Sequence, residues 1–341
     1  MLSSIHSRPL PALLAAALVA ATPAVAADFY ENKTVTLIVG NDAGTGFDGY
    51  GRLLARHMPK YLAGKPNIIV QNMNGAGSVI AAQFLYNAAP RDGTVFGVLT
   101  PGAIADPLFE PAKFRYDPVK FEHLGTAESL TRLCFTSAAS AAKTYADARN
   151  AKVLIGGTAP GNSTSDYAVF LNSVTGSKFE IVNGYKSSGE LLLAMERGEV
   201  EGVCALDVSA VATLRPDWIG SGKVNFLVQV GFQPNEAMTK LGIPTFWNFV
   251  APEHRAIAEL YVTQQVFGRP FVAPPGVPQA QLRELRAAFM AAYRDPELLA
   301  EAKRMKLEVN PIGGEEIAAT VTKLYSADRA LVQRLAAALK N

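Results

Sequence analysis

Along this chain, short apolar runs of β type alternate with stretches spaced for helices, and the joints between them share one design. Residues 35–39 form an apolar run closed by Gly40, and Asn41-Asp42-Ala43-Gly44-Thr45-Gly46-Phe47-Asp48 leads into a helical stretch over 49–62. In that stretch Leu53, Leu54, Met58, Tyr61 and Leu62 fall on one side, which predicts a face packed on a sheet. The design repeats at once: Ile68-Ile69-Val70, then Gln71-Asn72-Met73-Asn74-Gly75-Ala76-Gly77-Ser78, then a helix over 79–89. Pro90-Arg91-Asp92-Gly93 reads as a turn before a third strand over 94–100. A β-α-β-α-β order argues for an α/β fold with a mainly parallel sheet.

Residues 101–125 hold Pro107, Pro111 and Pro118 and are expected to form an irregular connection. A second α/β region follows, with strands expected over 130–136, 152–156, 179–182, 200–206 and 224–230. Here Gly157-Thr158-Ala159-Pro160-Gly161-Asn162-Ser163-Thr164 opens a helix with Tyr167, Phe170, Leu171 and Val174 on one side. Gly184-Tyr185-Lys186-Ser187-Ser188-Gly189 opens another. Residues 269–276 read as a strand returning to the first region, and three helices are expected to finish the chain. The last and longest is marked by Ile317, Val321, Leu324, Leu331 and Leu335.

Four strand-loop-helix turns, two in each half, therefore carry small and hydroxyl residues where a helix starts. Glycine lets a ligand approach the backbone, and first-turn N–H groups with the positive end of the helix dipole favour an anion. Ligands of open α/β sheets gather at the carboxyl ends of strands, so two such halves facing each other make one cleft. The bland alternative, glycines that only make tight turns, weakens with each copy.

The first 26 residues change the address. Arg8, an apolar stretch over 10–21 and Ala24-Val25-Ala26 form a secretory signal peptide with an A-x-A cleavage site. Removing 26 of 341 residues leaves 315, enough for two domains. The precursor carries 32 Lys+Arg and 30 Asp+Glu; without Arg8 the balance is 31 against 30, which gives no sign of a nucleic-acid partner. Cys134 and Cys204 lie in β-type runs, where they either pair in an oxidising periplasm or stay as buried thiols.

Catalytic tools are missing from the pattern. His57, His123 and His254 stand without a ligand-spaced partner, and there is no H-E-x-x-H, C-x-x-C, G-x-S-x-G or Walker lysine. No catalytic residue, metal or cofactor is expected. Asp48 fits as a helix cap or first-turn acid, Asp166 as a first-turn acid, and Asp207, at a strand's carboxyl end, as the acid facing the cleft. Phe47 and Tyr185, set in glycine-rich loops, are expected to wall a ligand.

These residues resemble the periplasmic solute receptors of tripartite tricarboxylate transporters, the Bug family. The likeness rests on Gly44-Thr45-Gly46-Phe47-Asp48 with Arg52, on Gln71-Asn72-Met73-Asn74-Gly75-Ala76-Gly77 and on Asp92-Gly93-Thr94. It continues through Gly157-Thr158 with Gly161 and Ser163, Gly184-Tyr185-Lys186, Gly198-Glu199-Val200-Glu201-Gly202 and Ala273-Pro274-Pro275-Gly276-Val277-Pro278. The resemblance implies a type II periplasmic-binding fold, with two α/β domains, a hinge and a ligand cleft between them. The expected division is 27–130 with 268–341 for one domain and 131–267 for the other.

It further implies a non-catalytic, monomeric receptor that takes up a small carboxylate, largely through backbone amides, and hands it to membrane permease subunits. The ligand-binding set expected is Gly44, Thr45, Gly46, Phe47, Asp48, Asn74, Gly75, Ala76, Gly77, Ser78, Thr158, Gly161, Asn162, Ser163, Thr164, Tyr185 and Asp207. The first loop departs from the family pattern at Asn41-Asp42, and Asp42 either points to solvent or pairs a cationic group on an amphoteric ligand. Rival readings are a ligand-sensing partner of a membrane signalling protein and an enzyme on the same architecture.

Overall fold

The computed structural model describes residues 29–159 and 162–339. The expected signal peptide therefore lies outside the described residues, as does Gly161. Eleven strands run in chain order as β1 (Thr34–Val39), β2 (Asn67–Asn72), β3 (Val95–Val98), β4 (Glu122–Thr126), β5 (Arg132–Ser137), β6 (Val153–Gly157), β7 (Phe179–Asn183), β8 (Gly202–Asp207), β9 (Val224–Val230), β10 (Pro270–Ala273) and β11 (Ile312–Gly313). They form two sheets, one in the order β11-β4-β10-β3-β1-β2 and the other β7-β6-β8-β5-β9.

In the first sheet β1 pairs in parallel with β2 and β3, while β10 runs antiparallel between β3 and β4. Val35, Leu37, Ile38 and Val39 are all buried, as a strand covered on both faces requires. In the second, β6 is parallel to β7 and β8, and β5 is antiparallel to β8 and β9. Each half is thus mixed rather than simply parallel, because a late strand returns to an early sheet.

Two stretches differ from expectation. The proline-rich segment holds a strand, β4, which pairing with β10 and β11 creates. The prolines keep to its approach, where each sits in the first turn of a short 3-10 helix, Asp106–Leu108, Pro111–Lys113 or Pro118–Lys120. The long final helix is two helices, Gly314–Tyr325 and Arg329–Ala338. Asp328 starts the second by accepting from the Ala330 amide at 3.2 Å. The apolar spacing runs on across the break, so it hides the turn. Gly314–Tyr325 packs beside β4, whereas Arg329–Ala338 packs on Arg255–Val262 and Ser163–Thr175, beside the second sheet.

The chain passes between the sheets after β4 and again before β10. The two crossings bond to each other, Ala127 N–H to the Arg269 carbonyl at 3.3 Å and Leu130 N–H to the Gln265 carbonyl at 2.8 Å. Within the second sheet Cys134 and Cys204, both fully buried, form a disulfide between β5 and β8. It closes a separation of 70 residues. The chain-entropy argument gives such a link at most about 4 kcal/mol. Cys134→Ala with Cys204→Ala should therefore lower the denaturant midpoint measurably, and a reducing agent should move the parent protein toward the same value without moving the double variant.

Candidate functional site

The first glycine turn is braced from beneath. Thr45 caps the helix Gly46–His57, its Oγ1 accepting from the Asp48 amide at 3.4 Å and donating to the Asp42 carbonyl at 2.8 Å. Asp48 is buried, and its carboxylate accepts from the Gly44 amide at 2.8 Å, Arg52 Nε at 2.9 Å and Asn72 Nδ2 at 3.0 Å. Burial works against its charge, but those hydrogen bonds outweigh it and hold the carboxyl below the usual carboxylate range. Asp48 is thus occupied in shaping the loop. The N–H groups of Gly46 and Phe47, in the first helical turn, have no helix carbonyl within reach.

The second turn is tied to the first. Ser78 Oγ donates to the Gly40 carbonyl at 3.0 Å, Asn72 Nδ2 to the Asn41 carbonyl at 2.9 Å, and Asn74 Nδ2 to the Asp42 carboxylate. Asp42 is therefore a clip between loops. Gly75, Ala76, Gly77 and Ser78 have φ of 129°, 46°, 62° and 72°. A run of left-handed residues, two of them not glycine, is strained backbone held by its surroundings.

These loops border two cavities between the sheets. One, of about 440 Å³, is lined by Gly44, Thr45 and Gly46 on the first side, by Asp207 and Ser209 on the second, and by Arg269 of the returning crossing. The other, of about 450 Å³, is lined by Ala76, Gly77 and Thr100 facing Arg132, Asn162 and Ser163. Asn162 precedes the helix Ser163–Thr175 and leaves that helix's first amides without a side-chain cap. A larger cavity, about 640 Å³, opens at the crossings beside Ser129, Pro234, Asn235 and Asn310, but no glycine turn lines it.

Other expected residues among those described, Asp207 excepted, do not line these cavities. Phe47 lies under the Arg269 guanidinium, 4.5 Å from ring centre to Cζ. Asn74 serves the clip and Ser78 is buried. Thr158 and Thr164 bond to each other at 2.8 Å, and Tyr185 packs against the second sheet's core. Asp207 lines the first cavity and faces Arg132 Nη1 at 3.3 Å.

Sequence reasoning missed the two arginines. Arg132 is a lone charge in an apolar strand, a signal of a buried partner or a ligand. Its Nη1 donates to the Ala205 carbonyl at 2.7 Å, its guanidinium lies 5.3 Å from the Tyr167 ring centre, and its Nε is buried without a partner. Arg269 opens the returning crossing, where neighbouring sequence says nothing of its surroundings.

Below the cavities lies Glu128, 1% exposed, in the first crossing. The Tyr50 hydroxyl is 2.8 Å from its Oε2 and 2.6 Å from the Glu308 carbonyl oxygen. Ser209 Oγ approaches its Oε1 at 3.3 Å, and Arg269 Nη2 stands 3.5 Å from Oε2. Burial pushes the carboxyl up to about 7, with Arg269 opposing and Asp207 reinforcing. A single Tyr50 proton cannot serve both oxygens. A protonated Glu128 donating to Tyr50, which donates to Glu308, satisfies the chain.

Comparison with known proteins supplies the kinship. Residues 51–335 match the family described as the tripartite tricarboxylate transporter family receptor, TctC. A UPF0065 protein in the gbd 5' region of Cupriavidus necator is 27% identical over 331 residues, covering 93% of this chain and 92% of its own. A TctC solute-binding protein from Polaromonas has a TM-score of 0.72 at 20% identity, over 90% of this chain and 99% of that one. MatC from Rhodopseudomonas palustris, with bound malate, has a TM-score of 0.59 at 19% identity, over 90% and 98%. These structures have the type II periplasmic-binding fold that the sequence implied.

Glu128 makes a pH test possible. Its folded-state value lies above the ordinary 4.5, so its contribution favours the fold below about pH 4.5, declines as pH rises toward about 7, and is flat beyond. Glu128→Gln keeps the shape and removes the ionisation. In denaturant unfolding at pH 8 the variant should be the more stable protein, by up to about 3 kcal/mol for the 2.5-unit difference. At pH 4, below the ordinary value, the two should nearly coincide.

Proposed function

The chain belongs to the tripartite tricarboxylate transporter receptor family, and from that premise we propose that it is exported, cleaved after Ala26 and works as a monomeric receptor for a small organic carboxylate. The solute is held between a lobe of 27–130 with 268–341 and a lobe of 131–267, then passed to the permease of a tripartite tricarboxylate-type transporter. Closure follows from population shift, since contacts to both lobes exist only when the lobes meet around the ligand.

The observation that carries this reading is the set of turn residues bordering the cavities from both sheets, Gly46 and Ser163 at helix starts and Ala76 and Gly77 in the 3-10 turn before another helix. MatC, whose fold this chain shares, holds malate. Arg132 and Arg269 add cationic groups at the floor, which suits an anionic guest.

Gly44 and Gly77 give the test. Both have positive φ, at 82° and 62°, and a Cβ at either meets nothing within 4 Å. A thermal-shift screen of small carboxylates finds the probe, since a ligand at 100 times its Kd adds about 2.7 kcal/mol to stability. Gly77→Asp, which sets a like charge beside the amides, should weaken binding of that probe at least 100-fold in calorimetry, while the strain of a side chain at positive φ costs the unliganded fold only about 1 kcal/mol and leaves it folded. Gly44→Asp should do the same from the first loop. Undiminished affinity in both variants would overturn the site.

A further inference from the structure

Two Asn-Gly pairs stand in the chain, and the fold treats them differently. Asn74-Gly75 opens the second glycine turn, and Asn183-Gly184 opens the turn after β7. Both asparagines are exposed. Before a glycine, an asparagine side chain meets a backbone nitrogen with no Cβ beside it, so that nitrogen can reach the side-chain carbonyl carbon where a bulkier residue would block the approach.

At Asn183 the fold holds both reacting groups. The Gly184 amide donates to the Thr158 carbonyl at 3.1 Å, and Ser165 Oγ donates to Asn183 Oδ1 at 2.6 Å. Asn183 is itself the last residue of β7, in register with Gly157. At Asn74 the backbone is open. The residue lies outside any strand or helix, and among the described residues no carbonyl accepts from the Gly75 amide. Gly75 sits at φ 129°, a conformation that glycine alone takes readily. The one hold on the Asn74 side chain is the exposed contact in which Nδ2 donates to the Asp42 carboxylate.

We propose that Asn74 is a site of spontaneous deamidation and that the reaction undoes the clip between the first two glycine turns. The Gly75 nitrogen bonds to Asn74 Cγ as the Cγ–Nδ2 bond breaks, and the proton lost from the Gly75 amide leaves with the departing nitrogen as ammonia. The product is a cyclic imide, which water opens. Attack at Cγ leaves aspartate, attack at the backbone carbonyl carbon leaves isoaspartate, and either opening returns a proton to the Gly75 nitrogen. One water is consumed and one ammonia released, with no oxidant or reductant. Both products lose the amide that donates to Asp42 and set a second carboxylate near it, so an attraction becomes a repulsion. Isoaspartate also lengthens the main chain just ahead of the left-handed run at 75–78, of which Ala76 and Gly77 line the second cavity.

In the test, the protein is incubated in mildly alkaline buffer and its peptides are weighed over successive days. The mass gain of an amide turned acid should appear at Asn74 at least about 10-fold faster than at Asn183, the ratio that about 1.4 kcal/mol of barrier produces. Conversion no faster at Asn74 than at Asn183, or at neither site, overturns the proposal. Asn74→Asp supplies one product throughout the sample, and amide hydrogen exchange over 41–46 and 73–78 should then quicken at least about 3-fold as local opening becomes easier. Asp42→Asn combined with Asn74→Asp exchanges donor and acceptor across the contact and should return exchange to the parent rate. Unmoved exchange in the single variant, or no recovery in the double one, overturns the loss of the clip. None of these readouts involves a solute, so carboxylate capture stands or falls separately.

Discussion

Two passages of chain between the sheets must run through a region shielded from water while carrying charge, and the rest of the molecule depends on how that charge is partnered. Arg132 faces Asp207, and Arg269 faces Glu128, whose carboxyl lies within reach of Tyr50 from the first helix and Ser209 from the second side. Buried charges left alone would be far too costly, so opposed pairs and a hydroxyl relay are the arrangement a low-dielectric floor permits. All of these groups but Glu128 also border the cavities between the sheets.

Above that floor the loops are stiffened by side chains that turn away from the cleft. Asp48, Ser78 and the pair Asp42 and Asn74 bond to backbone or to each other, which keeps a left-handed run at 75–78 in place. Amides directed at an anion are effective when already oriented before it arrives, because little reorganisation remains to oppose binding. Asp48 and Ser78 are buried in that role, whereas Asp42 and Asn74 perform it at the surface.

The C-terminal segment adds a third tie. Gly314–Tyr325 packs beside β4, Arg329–Ala338 crosses to Ser163–Thr175, and Lys323 meets Glu259 at 2.9 Å. Leu339 then borders the second cavity. This segment therefore ties the two sheets together alongside the two crossings.

The local code was legible wherever it is local. Apolar runs marked nine of the eleven described strands, and the helix starts at Ser163 and Ser187 followed from small hydroxyl residues beside glycine, whereas the first helix starts at Thr45, ahead of Asp48. Three features escaped, the two-residue strand β11 among them. β4 is a strand because β10 and β11 flank it, and the break at Asp328 lies inside an unbroken apolar spacing. Sequence by itself determined the α/β class and the repeated glycine turns, because each depends on residues close along the chain, and the family, because its motifs keep their order from residue 44 to 278. Only tertiary structure decided which of those residues line the cavities between the sheets, and that Arg132 and Arg269 line them too. Those properties depend on distances between segments far apart in the chain, and no spacing along the chain encodes such a distance.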